Sequence, residues 1–342
     1  MSFGFPLEAI VILFVTVAVS VWIDLYAHRN NAEVTFKDAA VWSTAWTLLA
    51  VGFYFYLGWR FNDEAASLFL AGYALERSLS IDNMMVFVAI FASFGIRGIL
   101  QYRILYYGIL GALVFRALFV GAGTTLFALG SWVELIFAAI VLWSAWALIS
   151  GSENNEIRDY SGHWSVRLTE RLLPVVPRLV GKRFFIGRLE LAELQAADAS
   201  LKVKRSATFY ATPAILCLIC IEVSDVVFSF DSVPAIIAVT KEPLLVYAAV
   251  IYAVVGLRSL YFMLVVAARY LCHLDKAVAL VLVFVAVKLG ASAVEGTFGI
   301  KTFHVHHGWS LWVVLGLLAL GVLASVVFPM KTEREEGEDA PV

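Results

Sequence analysis

Long apolar runs separated by short polar connections make up most of the chain. A helix needs roughly 20 mostly apolar residues to cross about 30 Å of hydrocarbon, and nine segments of the sequence meet that requirement. The pattern therefore predicts an all-α fold, a polytopic bundle of about nine transmembrane helices. The nine segments cover residues 7–27, 40–59, 65–94, 104–130, 131–150, 207–239, 244–271, 277–294 and 309–328.

The polar stretches between these segments divide the chain into four regions. Residues 1–150 are predicted to hold spans one to five, 151–206 to form a cytoplasmic loop, 207–330 to hold spans six to nine, and 331–342 to form an acidic cytoplasmic tail. The first segment has no basic region before it and no small-residue cleavage pattern after it. It is therefore predicted to be a retained span and not a removed signal peptide.

Composition narrows the class of protein. Hydrophobic residues make up 61% of the chain and charged residues 15%, whereas soluble domains are about half apolar. The net charge of −2 excludes a basic nucleic-acid binder, and three cysteines inside apolar segments imply no disulfide scaffold. We find no nucleophile–base pair, phosphate-binding loop or cofactor motif, so neither an enzyme nor a bound prosthetic group is expected.

Positive charge is distributed unevenly between the spans. The connections after spans one, three, five and seven, with the C-terminal tail and with Arg269 counted at the end of span seven, hold 18 Lys and Arg residues, and the opposite connections hold three, Arg60, Lys241 and Lys301. Because Lys and Arg accumulate in cytoplasmic loops, the pattern predicts an inner (plasma) membrane protein with its N-terminus outside and its C-terminus in the cytoplasm.

Five acidic and four basic residues lie inside the predicted spans and away from their ends. An ionisable residue at bilayer depth costs roughly 2.5–3.5 kcal/mol on insertion scales, so five carboxylates would cost on the order of 15 kcal/mol. Protons, the buried bases or a bound metal must offset that cost. The acids are Glu76, Asp82, Glu222, Asp225 and Asp231, and the bases are Arg77, Arg116, Arg258 and Lys288.

Two of the charged segments match each other. Residues 76–83 read Glu-Arg-Ser-Leu-Ser-Ile-Asp-Asn, and residues 225–232 read Asp-Val-Val-Phe-Ser-Phe-Asp-Ser. A buried arginine follows each segment one span later, at Arg116 and Arg258. Since the predicted topology runs the two segments in opposite directions, spans 3–5 and 6–8 are predicted to form an inverted repeat, in which transporters place their site near the midplane.

The two acidic spans are also the longest, with 30 and 33 residues. Straight helices of that length would measure roughly 45–50 Å, so they must tilt, protrude or break. Pro234 removes a backbone hydrogen bond and clashes with the carbonyl of Phe230, which predicts an opening that turns Asp231 toward the other acids. The repeat predicts a corresponding break near residues 80–83.

The polar groups of these segments are mostly oxygen ligands, from carboxylates, hydroxyls and one amide. Oxygen-rich sites suit magnesium, calcium or manganese, whereas zinc and copper prefer nitrogen and sulfur. Burial also favours the protonated form of a carboxyl group, so metal and protons would compete for the same groups. Such competition is a physical basis for proton-coupled exchange.

At these residues the sequence resembles the TerC family of bacterial integral membrane proteins, named for tellurite resistance. The similarity covers nearly the whole chain and is closest at residues 72–83, 212–235 and 256–262 and at Lys288. The resemblance implies a nine-span fold and manganese efflux from the cytoplasm. It implies a metal site formed by Glu76, Asp82, Asn83, Glu222, Asp225, Asp231 and Ser232, with Ser80 and Ser229 as further helpers.

The buried bases have two interpretations. In the first, the five acids and four bases, whose charges nearly cancel, are arranged as structural pairs. In the second, Arg116, Arg258 and Lys288 tune the charge of a metal site and take the metal's place when it is empty. The first interpretation pairs Asp82 with Arg116 and Asp231 with Arg258.

The main hypothesis is a secondary transporter that exports a divalent cation, Mn²⁺, in exchange for protons. Its expected partners are the metal ion, as substrate, and the lipid bilayer. The sequence identifies no membrane-protein partner. One alternative is a calcium/proton exchanger. The other is a non-transporting membrane scaffold for tellurite or envelope-stress resistance, or for metal delivery to secreted proteins.

Three further features are expected to be structural. Cys217 and Cys220 form a C-x-x-C motif inside a span, where thiols stay protonated and pack as small apolar groups. His304, His306 and His307 are expected in a solvated loop outside. Apolar residues between basic ones in residues 167–185 indicate an interfacial segment at the cytoplasmic face.

Overall fold

The computed structural model describes residues 7–27, 35–151, 160–198, 201, 203, 207–267, 274–302 and 307–327. The predicted acidic tail, His304 and His306 lie outside these ranges, and of His307 only the backbone is described. The helices are α1 Leu7–Ala27, α2 Phe36–Arg60, α3 Asp63–Ser93, α4 Ile99–Phe127, α5 Ser131–Gly151, α6 Trp164–Leu172, α7 Arg188–Ala197, α8 Pro213–Thr240, α9 Pro243–Val255, α10 Leu257–Ala267, α11 Leu274–Phe298 and α12 His307–Val327, and the strands are β1 Phe185–Gly187 and β2 Phe209–Ala211.

Each of the nine apolar segments of the sequence overlaps a long helix, the seventh overlaps the pair α9 and α10, and the sixth becomes helical only at Pro213. Among the described residues, four helices are long and apolar enough to cross a membrane, α2, α4, α8 and α11, and the α9–α10 pair makes a fifth if it counts as one bent span. Helix α3 has similar length, but Glu76, Arg77 and Asp82 lower the hydropathy of its middle. The fold is thus that of an α-helical membrane protein, as predicted.

Local sequence accounts for several helix ends. Thr35 caps α2 through a reciprocal capping box with Asp38, and the Asn62 side chain accepts a hydrogen bond of 2.7 Å from the backbone N–H of Ala65 at the start of α3. Pro213 and Pro243 occupy the first positions of α8 and α9, where a missing N–H costs nothing. Each of these polar or proline residues stands at a helix start and sets where the helix begins.

Four helices form the centre of the bundle. Helix α3 packs against α8 and α9, and α4 packs against the same two helices, so α3 and α4 occupy opposite corners. Glycines permit the close approach: a Cβ atom on Gly72 of α3 would lie 2.9 Å from Thr240 Cγ2, and one on Gly123 of α4 would lie 2.9 Å from Ile237 Cδ1. Small residues in membrane helices let backbones approach in this way.

The remaining long helices surround this centre. Helices α5 and α11 pack along much of their length, α12 packs on α11 and α3, and α2 packs on α3 and α10. Glycine again allows the contact of α5 with α11, because Gly290 faces Ala138 and Gly296 faces Ser131. The centre is therefore shielded by helices on several sides.

The segment between α5 and α8 contains α6, α7 and the two strands. The predicted polar loop ends at residue 206, so β2 lies at the start of the predicted sixth span, which is wrong there because that stretch forms a strand. The strands pair antiparallel with Ile186 opposite Tyr210, a small departure from the predicted all-α fold. Helix α6 lies in the segment predicted to be interfacial and packs against α8. It buries Ser165, Val166 and Thr169 and exposes a stripe of apolar side chains, Trp164, Leu168 and Leu172.

The predicted breaks in the two acidic spans are wrong. Helices α3 and α8 are each continuous, across residues 80–83 and across Pro234 respectively. An interior proline removes one backbone hydrogen bond, and neighbouring groups in a membrane bundle tolerate that loss. The break lies instead in the seventh span, where α9 and α10 meet at Gly256 with a bend of 48°.

Arg77 holds this break in place. Its Nη1 donates a hydrogen bond of 3.1 Å to the carbonyl of Ala253, near the C-terminal end of α9, and its Nη2 donates one of 3.0 Å to Ser43 Oγ of α2. A Cβ atom on Gly256 would lie 2.7 Å from Arg77 Nη1. Carbonyls freed by a broken helix need donors inside a membrane, and the missing side chain at position 256 admits the guanidinium that supplies one.

Replacing Gly256 by alanine is expected to destabilise the protein, because the new methyl group would stand where the Arg77 guanidinium lies. Loss of the donor to Ala253 should cost about 1–3 kcal/mol, measured as a lower midpoint of thermal unfolding in detergent. Gly52→Ala is the matched control, since a methyl group there meets no atom within 4 Å. In an Arg77→Met background Gly256→Ala should cost much less; an equal cost in both backgrounds would show that Arg77 does not set the requirement for glycine.

Candidate ion-binding site

A buried arginine joins two of the predicted acids at the centre of the bundle. Arg116 of α4 donates from Nε to Asp225 Oδ2 over 3.1 Å and from Nη2 to Asp225 Oδ1 over 2.6 Å. Its Nη1 forms an ion pair with Glu76 Oε1 of α3. Glu76, Arg116 and Asp225 are 0%, 1% and 2% exposed. We call these three residues the charged triad; its formal charge is −1 when both acids are ionised.

Glu222 brings a further carboxylate close to the triad. It precedes Asp225 by three residues on α8, so the two side chains lie on the same face of the helix. The Glu222 carboxylate lies against Gly111 of α4, where any Cβ atom would overlap it. Its Oε2 is buried without a hydrogen-bond partner among the described residues. Gly111 therefore makes room for an acid on the facing helix.

Several predicted helper residues are buried near these acids in sequence. Ser80 Oγ, Asn83 Nδ2 and Ser232 Oγ have no hydrogen-bond partner among the described residues, and such atoms are costly unless water or a ligand satisfies them. Ser229 differs, because its Oγ donates to the backbone carbonyl of Asp225 over 2.9 Å. The structure thus leaves Ser80 and Ser232 available as oxygen ligands, whereas Ser229 is engaged by its own helix.

The other predicted charge-tuning residues have different surroundings. The Arg258 guanidinium lies over the ring of Tyr102, 4.3 Å from its centroid, a cation–π contact that the sequence did not indicate. Lys288 Nζ on α11 is buried without a hydrogen-bond partner among the described residues. Of the three bases, the structure places Arg116 in direct contact with predicted metal-site acids.

Asp82 and Asp231 lie in the middle of α3 and α8, but their side chains are outside the described part of the chain. Their shared role in one site stays a prediction. The proposed pairing of Asp82 with Arg116 can be compared only with the contacts of Arg116, which go to Glu76 and Asp225. Glu76 and Asp225 each lie six residues before one of these aspartates. The two acidic segments are therefore linked at these positions, through Arg116.

A small cavity borders the triad. It has a volume of about 10 Å³ and is lined by Asp225 and by apolar residues of α3, α4, α8 and α10, among them Met84, Leu105, Ile221 and Leu257. About this much space holds a single water molecule. Asp225 therefore borders a cavity about the size of one water molecule.

This geometry can hold one positive charge between acids from two helices. Among the side chains that the structure describes, no three His, Cys, Asp or Glu residues come together in a way that would hold a metal ion. The guanidinium of Arg116 occupies the position between Glu76 and Asp225. A carboxylate-bound cation in that position would require Arg116 to move.

A bundle of apolar helices with charged side chains buried at its centre defines a multi-pass integral membrane protein. The sequence profile of the integral membrane protein TerC family matches residues 61–335. The chain belongs to that family, as the resemblance of its motifs predicted.

Relatives of this chain are found in several bacteria. It is 45% identical to the tellurium resistance protein TerC of Serratia marcescens, with 97% of each chain covered, and 44% identical to a protein of the same name from an Alcaligenes species, with 98% of each covered. It is 34% identical to the uncharacterized membrane protein STKORF319 of Myxococcus xanthus, with 88% of this chain and 86% of the relative covered. No solved structure matches the chain.

Replacing Arg116 by methionine should strongly destabilise the protein, because it leaves two buried carboxylates without their cation. Removing one partner of a buried ion pair costs about 3–5 kcal/mol, measurable as a lower thermal midpoint in detergent. Adding Asp225→Asn to Arg116→Met should recover part of the loss, since one carboxylate then remains.

The matched control is Arg97→Met, which removes an exposed arginine and should have little effect. If Arg116→Met were as mild as this control, or if Asp225→Asn added its full cost in the double variant, the triad would not be a single electrostatic unit.

Proposed function

We propose that this protein is a secondary transporter that exports a divalent metal cation, Mn²⁺ in the first instance, from the cytoplasm in exchange for protons. The observation that carries the proposal is the excess of buried acid: Glu76, Asp225 and Glu222 lie at the centre of the bundle, with Arg116 in contact with the first two. Intramembrane acids in the bundle interior mark ion pathways, and their oxygen atoms suit a hard cation.

We further propose that the chain crosses the membrane nine times and that spans 3–5 and 6–8 form an inverted repeat. The contacts between the two triplets support this. If α3, α4 and α5 correspond to α8, α9–α10 and α11, the packing of α3 on α9 corresponds to that of α8 on α4, and the packing of α5 on α8 to that of α11 on α3. Glu76 and Asp225 occupy equivalent positions, and both contact Arg116.

Arg116 supplies a switch in this proposal. In the cation-free state its guanidinium neutralises Glu76 and Asp225. An entering divalent cation competes for the same carboxylates and repels the guanidinium, so Arg116 withdraws as the metal binds. Glu222, Ser80 and Ser232, whose side-chain oxygens are without a full set of partners among the described residues, offer further ligands.

Protons complete the proposed cycle. A buried carboxylate is stable either as the protonated acid or when paired with a cation, so protons entering from outside displace the metal and Arg116 then returns. We propose that the N-terminus lies outside and the C-terminus in the cytoplasm of the inner membrane. The excess of 18 Lys and Arg residues over three in the connections supports that orientation.

Two alternatives keep specific support. Oxygen ligation alone does not separate manganese from calcium, which leaves a calcium/proton exchanger. The name of the relatives, tellurium resistance protein, favours a scaffold that supports resistance without moving an ion. The two experiments below distinguish these possibilities.

Liposomes that contain the purified protein should take up Mn²⁺, and an opposed proton gradient should accelerate the uptake. Glu222→Gln should lower the rate at subsaturating Mn²⁺ by about a hundredfold, because loss of one buried charge costs a few kcal/mol. Glu64→Gln, which changes an exposed acid of α3, is the control and should leave the rate unchanged. Calcium uptake without manganese uptake would favour the exchanger; transport of neither ion by folded protein would favour the scaffold.

Asp82→Asn and Asp231→Asn should each abolish transport while the protein stays folded, and the double variant should be little worse than either single one. Residues that act as one site are non-additive, and the two aspartates hold matching positions in the proposed repeat. Because Arg116 is already held by Glu76 and Asp225, Arg116→Met should not rescue Asp82→Asn. Rescue, or normal transport in both single variants, would leave the aspartates as structural residues only.

A further inference from the structure

A groove runs along the surface between α11 and α12, away from the charged triad. Its volume is about 510 Å³. Leu280 and Leu320 on its rim are 53% and 62% exposed. Val314 and Leu318, on the neighbouring face of α12, are buried, and α12 packs on α11 and α3. The groove is lined by Lys276, Ala277, Leu280, Leu317, Leu320, Gly321 and Ala324.

The groove reaches about two thirds of the hydrocarbon depth of one leaflet of a bilayer. From Leu317 to Ala324 the helix rises by about 10 Å, and half of the hydrocarbon thickness is about 15 Å. Its Lys276 end lies at the start of α11, and Ala324 lies near the end of α12. Helix ends in a membrane protein lie at the boundary with water, so the groove descends from that boundary into the hydrocarbon.

Lys276 is the one charged residue among those that line the groove, and it lies at this boundary. Lys276 lies in the first turn of α11 and is exposed, and the structure gives it no ion pair with the described residues. The N-terminus of a helix carries a partial positive charge, so an ammonium group there favours an anion nearby. Asp275 precedes Lys276 in the sequence, but its side chain is outside the described part of the chain.

We propose that this groove binds an anionic phospholipid, with one acyl chain along the apolar lining and the phosphate at Lys276. An apolar groove offers no hydrogen-bond partner to a polar ligand, whereas an acyl chain fills it without leaving a polar group unsatisfied. The ammonium at the open end adds charge complementarity to the headgroup, as basic residues at the membrane boundary do for anionic lipids. The proposal depends on membrane insertion and is independent of the transported ion.

Native mass spectrometry of the full-length protein in detergent, titrated with phosphatidylglycerol or phosphatidylethanolamine, tests the site. The wild type should retain one phosphatidylglycerol in preference to phosphatidylethanolamine. Lys276→Gln should lower that preference by about fivefold, the effect of one basic residue near an anionic surface. Gly321→Leu, which fills the groove, should abolish retention of both lipids.

Two matched controls keep the outcome specific. Lys37→Gln removes an exposed lysine from the first turn of another helix, α2, and Gly316→Leu adds a side chain on α12 where a Cβ atom meets nothing within 4 Å. Both should retain lipid as the wild type does. Equal retention of the two lipids by the wild type, or unchanged retention in Lys276→Gln and Gly321→Leu, would overturn the proposal. A lipid-free dimer that Gly321→Leu dissociates would instead assign the groove to a second copy of the chain.

Discussion

The contact of Arg116 with Glu76 and Asp225 is the interaction on which the centre of the bundle depends. Each of these side chains would be costly alone in a membrane, and together they offset part of one another's charge across three helices. Because the two acids come from helices that pack side by side and the arginine comes from the opposite corner, the contact fixes how α3, α4 and α8 are placed. The surplus negative charge makes the same contact a candidate site for a cation.

The sequence predicted the helices well because apolar length is a local property. Each of the nine apolar segments contains a long helix or helix pair, although the sixth begins with β2, and the acids of the predicted site lie on α3 and α8 as expected. The predicted opening at Pro234 is wrong. It considered only the local effect of a proline on its own helix, whereas the packing of neighbouring helices keeps α8 continuous. The actual break at Gly256 depends on Arg77, a residue 179 positions earlier in the chain. The one local signal for this break in the sequence is a glycine inside a long apolar run.

The partners of the buried charges were harder to predict than their positions. The symmetry of the two segments suggested a role for Arg116 near the acids, but spacing along helices does not say which acid an arginine on another helix will reach. Helices α3 and α4 lie at opposite corners of the centre, and α8 packs on both. The arginine of α4 therefore extends into the centre, where it contacts Glu76 of α3 and Asp225 of α8. The place of Glu222 against Gly111 depends on the same packing. The Asp82 and Asp231 side chains lie outside the described part, so that half of the site rests on sequence.

The triad also imposes an order on biogenesis. Arg116 follows Glu76 by 40 residues, and Asp225 follows Arg116 by 109. At about 5–20 residues per second, ribosomes need roughly 5–20 s to reach Asp225 after Arg116. During that interval the nascent chain offers the insertion machinery a neutral pair, Glu76 with Arg116. The excess negative charge enters with α8, when a partner arginine is already in place to receive it.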